Sequence, residues 1–426
     1  MKILILGATG FIGSALLDRL AGDGHSVTGL GRHVARARLK RPDVAWLAAD
    51  LADMRSPGDW RELVDCHDVI VNCAGALQDG LADDVAATQE AAMLALYAAA
   101  KTSKIRIVQI SAPKGGAGSD STFLATKFRA DAALSASGVA HVILRPALVL
   151  GRNAHGGSAL LRALAALPFV VPLVHADARV ETVAMSDVAE AVSAAVAGLM
   201  PEGSDLVLGH PQPSTLAELV AAHRQWLGLP PVRIVSLPAL LAAPVGLLAD
   251  VAGRLGWRSP LRSTALSVMA GGVSAAGGTQ APGPFLSARQ SLSAHPSGVQ
   301  DLWFARLYLL KPLLIAGLSV FWLLSGLIPL FAFDEARQHF LRFLTPGPAT
   351  VLMMLACLAD VVLGIAVLVR PLARRALLGM LALTVAYLAS ATVFEPELWA
   401  DPLGPLVKVL PSLLATLATL AILDER

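Results

Sequence analysis

Three glycines at short, regular spacing carry the strongest chemical signal in the chain. Gly7-Ala8-Thr9-Gly10-Phe11-Ile12-Gly13 follows a short apolar run and opens an apolar-periodic stretch. Gly7 suits a tight turn, Gly10 a close approach of main chain to a diphosphate, and Gly13 close packing of helix on strand. The N–H groups and positive dipole end of the following helix, starting at Phe11 and Ile12, would face the phosphates. Gly29-Leu30-Gly31-Arg32-His33 then lacks the carboxylate that binds the ribose hydroxyls of NAD, and Arg32 offers several donors to a 2′-phosphate instead. That substitution favours NADP(H) over NAD(H). Cys66, Cys73 and Cys357 have the spacing of neither a zinc site nor a redox pair, and no metal site is expected.

The elements that must hold these residues read as βαβ units. Strands are expected at 3–6, 26–30, 45–48, 69–72, 105–110 and 140–144, with helices near 12–21, 86–101 and 123–137. Gly7 interrupts the first apolar run, so it reads as a strand and not as a targeting signal. Residues 151–270 are punctuated by Gly and Pro and suit a smaller substrate lobe; Thr215 and Glu218 form a capping box there. The predicted class is thus α/β, a Rossmann parallel sheet with its lobe over 1–270. A Gly-, Ala-, Ser- and Pro-rich stretch at 271–305 reads as an extended linker.

The rest of the chain is of another kind. Hydrophobic residues make up 55% of the sequence and charged ones only 15%, and the excess gathers after Tyr308. Four apolar segments, at 309–333, 349–369, 372–394 and 403–423, are each long enough to cross a bilayer, so 306–426 reads as an all-α four-helix transmembrane bundle. With the N-terminal domain and C-terminus cytoplasmic, Arg306, Lys311, Arg370, Arg374, Arg375 and Arg426 flank the cytoplasmic side. Asp334, Glu335, Arg337, Arg342, Glu395, Glu397 and Asp401 flank the other, which satisfies the positive-inside rule in an inner, or plasma, membrane. Asp360 and Lys408 lie inside spans, where ionisable groups are costly; they are expected to pair or to line a polar pocket for a quinone-like head group. A formal charge of +2 without a basic-aromatic patch excludes nucleic acid as partner.

Further residues, in order, resemble the short-chain dehydrogenase/reductase superfamily in its extended or atypical branches. They are the Gly7/Gly10/Gly13 spacing, Asp50-Leu51, Asn72-Cys73-Ala74-Gly75, Ser111, Arg145-Pro146 and Ser186-Asp187-Val188-Ala189. The resemblance implies that Asp50 and Leu51 contact adenine, that Ala74 and Gly75 lie beside the cofactor, that Lys127 binds the nicotinamide ribose, and that Ser111 steadies a substrate carbonyl. The superfamily's catalytic tyrosine stands four residues before its lysine; here that position is Phe123, which has no proton to exchange. Of the three tyrosines, Tyr97 reads as packing, and Tyr308 and Tyr387 fall in or beside the membrane segment. A Rossmann region without the tyrosine resembles the accessory Rossmann-like subunit of respiratory complex I. The run from Leu302 to Pro312 and the helices after it are similar to bacterial fusions with a DoxX-like four-helix membrane domain. Two functions follow from these resemblances: an oxidoreductase for an apolar or membrane-borne substrate, and a non-catalytic NADP(H)-binding module that docks a membrane protein.

Overall fold

A computed structural model describes residues 1–75, 79–81, 84–115, 122–274, 278–402 and 404–424. The chain divides into two compact units, Met1–Gly253 with Ser259–Ala305, and Arg254–Arg258 with Arg306–Arg426.

The first unit is built on strands β1 (Lys2–Leu6), β2 (Ser26–Gly31), β3 (Ala45–Ala48), β4 (Val69–Asn72), β5 (Arg106–Ile110) and β6 (Ala140–Pro146). Short strands follow: β7 (Leu148–Leu150), β8 (Val170–Val174), β9 (Arg179–Val180), β10 (Thr182–Ala184), β11 (Ser204–Leu208), β12 (Ser214–Thr215), β13 (Arg233–Leu237) and β14 (Thr279–Gln280). Eight of them form one parallel sheet in the order β14-β11-β6-β5-β4-β1-β2-β3, so the strand order reverses between β1 and β4. In open α/β sheets that crevice, at the carboxyl ends of the strands, is where ligands bind. Alternation along β1 explains both covered faces. Ile3 and Ile5 pack with Leu16 and Leu20 of α1 (Phe11–Gly22), while Leu4 and Leu6 pack with Trp60 of α3 (Pro57–Cys66) and Leu96 of α4 (Ala92–Ala100). Between α1 and α3 lies α2 (Ala35–Lys40), and after α4 comes α5 (Thr122–Ala136).

The smaller lobe has its own core, in which Leu161 of α6 (Gly157–Ala165) meets Leu219 and Val220 of α8 (Leu216–Trp226). The Thr215–Glu218 capping box forms at the start of α8. Helix α7 (Met185–Val196) returns to the main sheet, and α9 (Ala243–Arg254) and α10 (Ser263–Ala270) follow the lobe.

The expected linker is only partly one. Within it, β14 pairs with Leu206–Val207 of β11 as an edge of the sheet, and α11 (Ala288–Ser293) buries Ala288 and Leu292. A two-residue strand held by main-chain hydrogen bonds has no side-chain period to read, and Gly-rich composition masks it.

The second unit contains most of α12 (Val299–Phe331), then α13 (Phe333–Leu341), α14 (Pro346–Ala366), α15 (Arg370–Phe394) and α16 (Pro405–Ala421). Among the described residues, α12, α14 and α15 are long and apolar enough to cross a membrane. The fourth apolar segment gives a shorter helix of 17 residues, because Gly404 in the left-handed region and Pro405 at N1 set a late start. Lys311 and Arg370 both reach the carbonyl of Leu423, at 2.9 and 3.3 Å, whereas His339 and Arg342 meet Glu395, at 3.2 and 3.5 Å. Arg426 lies outside the described residues.

Candidate functional site

The turn after β1 is shaped by what its glycines exclude. Gly7 has φ +71°, and a Cβ there would come within 2.9 Å of Ala74 Cα, across the crevice between β1 and β4. A Cβ on Gly13 would come within 2.3 Å of the Gly7 carbonyl oxygen, so only glycine lets α1 start this close to the turn. Gly10 donates to Gly7 O at 2.8 Å and serves as N-cap, and no side chain caps the helix. The amides of Phe11, Ile12 and Gly13 thus open the helix without a protein oxygen from its cap, as an anion cradle needs. Thr9 lies against Gly31, 3.2 Å from where a Cβ would be; the Phe11 ring is 6.2 Å from His155. The residues present fit a bound diphosphate.

On the β2 side, Arg32 Nη1 stands 4.0 Å from Asp50 Oδ2, both side chains about one-third exposed. Asp50 also accepts from Ala52 N at 3.0 Å, and Leu51 beside it is buried. On the β4 side, Asn72 Oδ1 holds the Ala74 amide at 3.0 Å. A Cβ on Gly75 would lie 3.5 Å from Lys127 Nζ and 3.2 Å from Gln89 Oε1. Gln89 belongs to a π-helical turn, Ala87–Ala91, which precedes α4 and breaks the single helix expected over 86–101. The lysine predicted beside the cofactor and the glycine predicted there are therefore neighbours.

Lys127 is buried on α5 and donates to Ile110 O at 3.2 Å. Burial pushes its ammonium below the ordinary lysine range, against the pull of Asp131 and Cys73; Arg145 adds to the lowering. The Phe123 ring centroid lies 5.9 Å from Lys127 Nζ, so the residue in the tyrosine's place does sit at the lysine. Tyr97 is buried with Oη 3.4 Å from Gln109 Oε1, a packing position.

Ser111 is engaged by two neighbours. Arg145 Nη1 donates to its Oγ at 3.1 Å, and a guanidinium can only donate, so the serine proton goes to Asp131 Oδ2 at 2.5 Å. In this arrangement the hydroxyl proton points to Asp131. Ser111 belongs to a buried network in which Arg145, 2% exposed, meets Asp131 at 2.8 Å and Asp205 at 2.5 Å. Burial opposes the Arg145 charge, but the Asp205 hydrogen bond and the Asp131 charge outweigh it and raise its pKa. Asp131 and Asp205 were not anticipated. Asp205 lies 60 residues from Arg145 and leaves no local trace. Asp131 follows Lys127 by one helical turn on the same face, a signal that could have singled it out.

In the second unit, Asp360 is buried on α14 and accepts from Tyr387 Oη at 2.8 Å, with a further hydrogen bond from Ser325. The expected pairing with Lys408 is not found: Lys408 is exposed on α16, and no ion pair joins the two among the described residues. A phenol on the adjoining span satisfies the carboxyl without a counter-charge. No group of three or more metal-ligating side chains occurs among the described residues.

Sheet order, glycine turn and lysine together define a Rossmann domain of the short-chain dehydrogenase/reductase type. Residues 3–209 match the NAD dependent epimerase/dehydratase family, and residues 319–417 match the DoxX-like family. The chain therefore joins an epimerase/dehydratase-like domain to a DoxX-like domain whose apolar helices associate it with a membrane. Over 238 residues, 55% of the chain, it is 30% identical to uncharacterized proteins of Mycobacterium tuberculosis and Mycobacterium bovis, and it spans only 24% of their length. Pal from Bacillus thuringiensis shares the fold, with a TM-score of 0.52 at 16% identity over 71% of this chain and 100% of that one. The enzyme WbmH of Bordetella bronchiseptica, solved in complex with NAD+, gives a TM-score of 0.47 at 21% identity, covering 63% of this chain and 97% of its own.

Proposed function

We propose that the N-terminal unit binds a nicotinamide dinucleotide, NADP(H) in preference to NAD(H), and holds it without the hydroxyl proton relay of its superfamily, as a membrane-anchored binding module. Gly7, Gly10 and Gly13 with the main chain of Thr9, Phe11 and Ile12 take the diphosphate. Arg32 takes the 2′-phosphate, and Asp50 and Leu51 the adenine. Ala74, Gly75 and Lys127 border the nicotinamide ribose. The observation that carries this reading is the pair of missing protons: position 123 is a phenyl ring at Lys127, and the Ser111 proton is held by Asp131. In this reading the membrane domain docks a membrane protein partner, with the N-terminal unit and C-terminus on the cytoplasmic side of the inner, or plasma, membrane.

A second reading is favoured by Lys127. A nicotinamide, when bound, supplies hydride chemistry. The Lys127 ammonium, whose pKa burial lowers, is a nearby proton source among the described residues. An apolar or membrane-borne, quinone-like substrate would suit an oxidoreductase anchored in this way.

Purified protein in lipid, followed by NADPH absorbance with quinones and apolar carbonyls, separates the two readings. The binding module predicts NADPH affinity without turnover in the wild type, and turnover only after Phe123→Tyr. Turnover in the wild type supports the oxidoreductase and ends the first reading. Absence of affinity for either coenzyme ends both.

A further inference from the structure

The segment ending at Arg254 is built inside out. On α9 the buried positions are Gly246, Ala249 and Gly253, whereas Leu247 and Leu248 are turned outward, 65% and 70% exposed, with Val251 beside them. Leu240 and Leu241, in the 3-10 turn just before α9, are exposed too. A helix on a water-facing surface puts its large apolar side chains inward. Here the small residues pack inside: a Cβ on Gly253 would come within 2.7 Å of Arg262 Cζ, and one on Gly246 within 3.2 Å of Leu266 Cδ1. Asp250, the helix's carboxylate, is taken up by Arg262 at 3.2 Å and the Ser263 amide at 3.3 Å. The outward face is thus a continuous aliphatic surface up to Arg254.

The chain that follows says what covers it. Arg254–Arg258 group with the helical unit. Leu255 O accepts from Arg370 N at 2.9 Å, at the first residue of α15, and the Trp257 indole donates to Leu368 O at 2.6 Å, just beyond α14. Lys311 and Arg370 lie 5.8 and 5.3 Å from the centre of the Trp257 ring. The residues directly after α9 are therefore fastened to the ends of two candidate spans. Cations and a tryptophan collect at that end, as they do at the boundary between lipid and water. A chain advances at most about 3.6 Å per residue, so the last turn of α9 lies within reach of that plane by connectivity alone.

We propose that α9 and the turn before it form an interfacial helix. Leu247, Leu248 and Val251 are seated among acyl chains of the leaflet that the ends of α14 and α15 adjoin, and Arg254 faces the lipid phosphates. The partner is the lipid surface itself; a second copy of the chain and another protein are the outcomes to exclude.

The test uses the full chain in vesicles of phosphatidylcholine and phosphatidylglycerol, with exposed Cys66 replaced by Ser. A nitroxide is attached at Leu248→Cys or, as an aqueous control, at Leu39→Cys on exposed α2. Collision with oxygen, which concentrates in lipid, is compared with collision with a water-soluble nickel complex. The expected result is loss of nickel access and gain of oxygen access at position 248, with the reverse at position 39. Nickel access at 248 equal to that at 39 overturns the proposal by showing a face open to water. Low access to both reagents at 248 overturns it by showing a face covered by protein.

Discussion

In the proposed site, Arg32 is the side chain assigned to the 2′-phosphate. Its guanidinium faces Asp50 at 4.0 Å. A hydrogen bond to a charged group contributes about 1.5–3 kcal/mol, and each 1.4 kcal/mol is about tenfold in affinity. Arg32→Ala should therefore weaken NADPH binding by about tenfold or more while leaving NADH nearly unchanged, as read by fluorescence titration. Equal losses for both coenzymes would remove Arg32 from the 2′-phosphate. A different residue sets a pH limit. Burial pushes His223 down to about 4; its hydrogen bond to the Leu219 carbonyl opposes this and the Arg162 charge reinforces it. An unfolded histidine titrates near about 6.5, so between those values the unfolded chain binds more protons and stability falls as pH falls. The N-terminal unit should lose about 3 kcal/mol across that window, and His223→Gln should flatten the slope in acid-dependent denaturant unfolding. Asp131 left only its one-turn spacing from Lys127, and neither His223 nor the pairing of Arg145 with Asp205 was legible in the sequence. The glycine turn was, because each glycine answers a local demand of main-chain geometry. Buried charge pairs join positions far apart and leave no period.

Strands were legible where side chains alternate between two buried layers. The bounds of β3 and β4 coincide with the expected ones, and α1 and α5 are off by one residue at each end. What was lost at this scale is held by main chain or by a single polar contact: β14, the π-helical turn before α4, and the start of α12. Asp301 caps α12 by accepting from Gly298 N at 2.8 Å, and it meets Arg162 of α6 at 3.3 Å. Arg162 also donates to the carbonyls of Gly151 at 2.6 Å and Arg152 at 3.0 Å, and it stacks 4.5 Å from the Trp226 ring. Both members of the pair are buried, so removing the carboxylate leaves a buried guanidinium without its counter-charge. That costs about 3–5 kcal/mol, more than the median surface ion pair by severalfold. Asp301→Ala should destabilise the N-terminal unit by that order in denaturant unfolding. The double variant Arg162→Met, Asp301→Ala should recover much of the loss. A cost below about 1 kcal/mol for the single variant would mean that the carbonyls alone satisfy Arg162.

At the scale of the whole molecule, two units with separate cores share one chain, and a ligand of one of them should divide their stabilities. The cores of the first unit surround the sheet and its lobe, and that of the second is formed by α12, α14, α15 and the end of α16. A ligand that binds only the folded form stabilises by mass action, about 2.7 kcal/mol when present at 100 times its dissociation constant. The proposed site draws every residue from the first unit, from Gly7 to Lys127. Saturating NADPH should therefore raise the midpoint of the transition that melts the sheet and leave the helical transition where it is. Circular dichroism and calorimetry of the lipid-reconstituted chain would resolve the two. Gly13→Ala, whose Cβ would press on the Gly7 carbonyl, should abolish the NADPH-dependent shift. A shift that survives Gly13→Ala would place the coenzyme elsewhere. Equal shifts in both transitions would mean that the units melt as one cooperative body, and the division of the chain would then be a matter of packing alone.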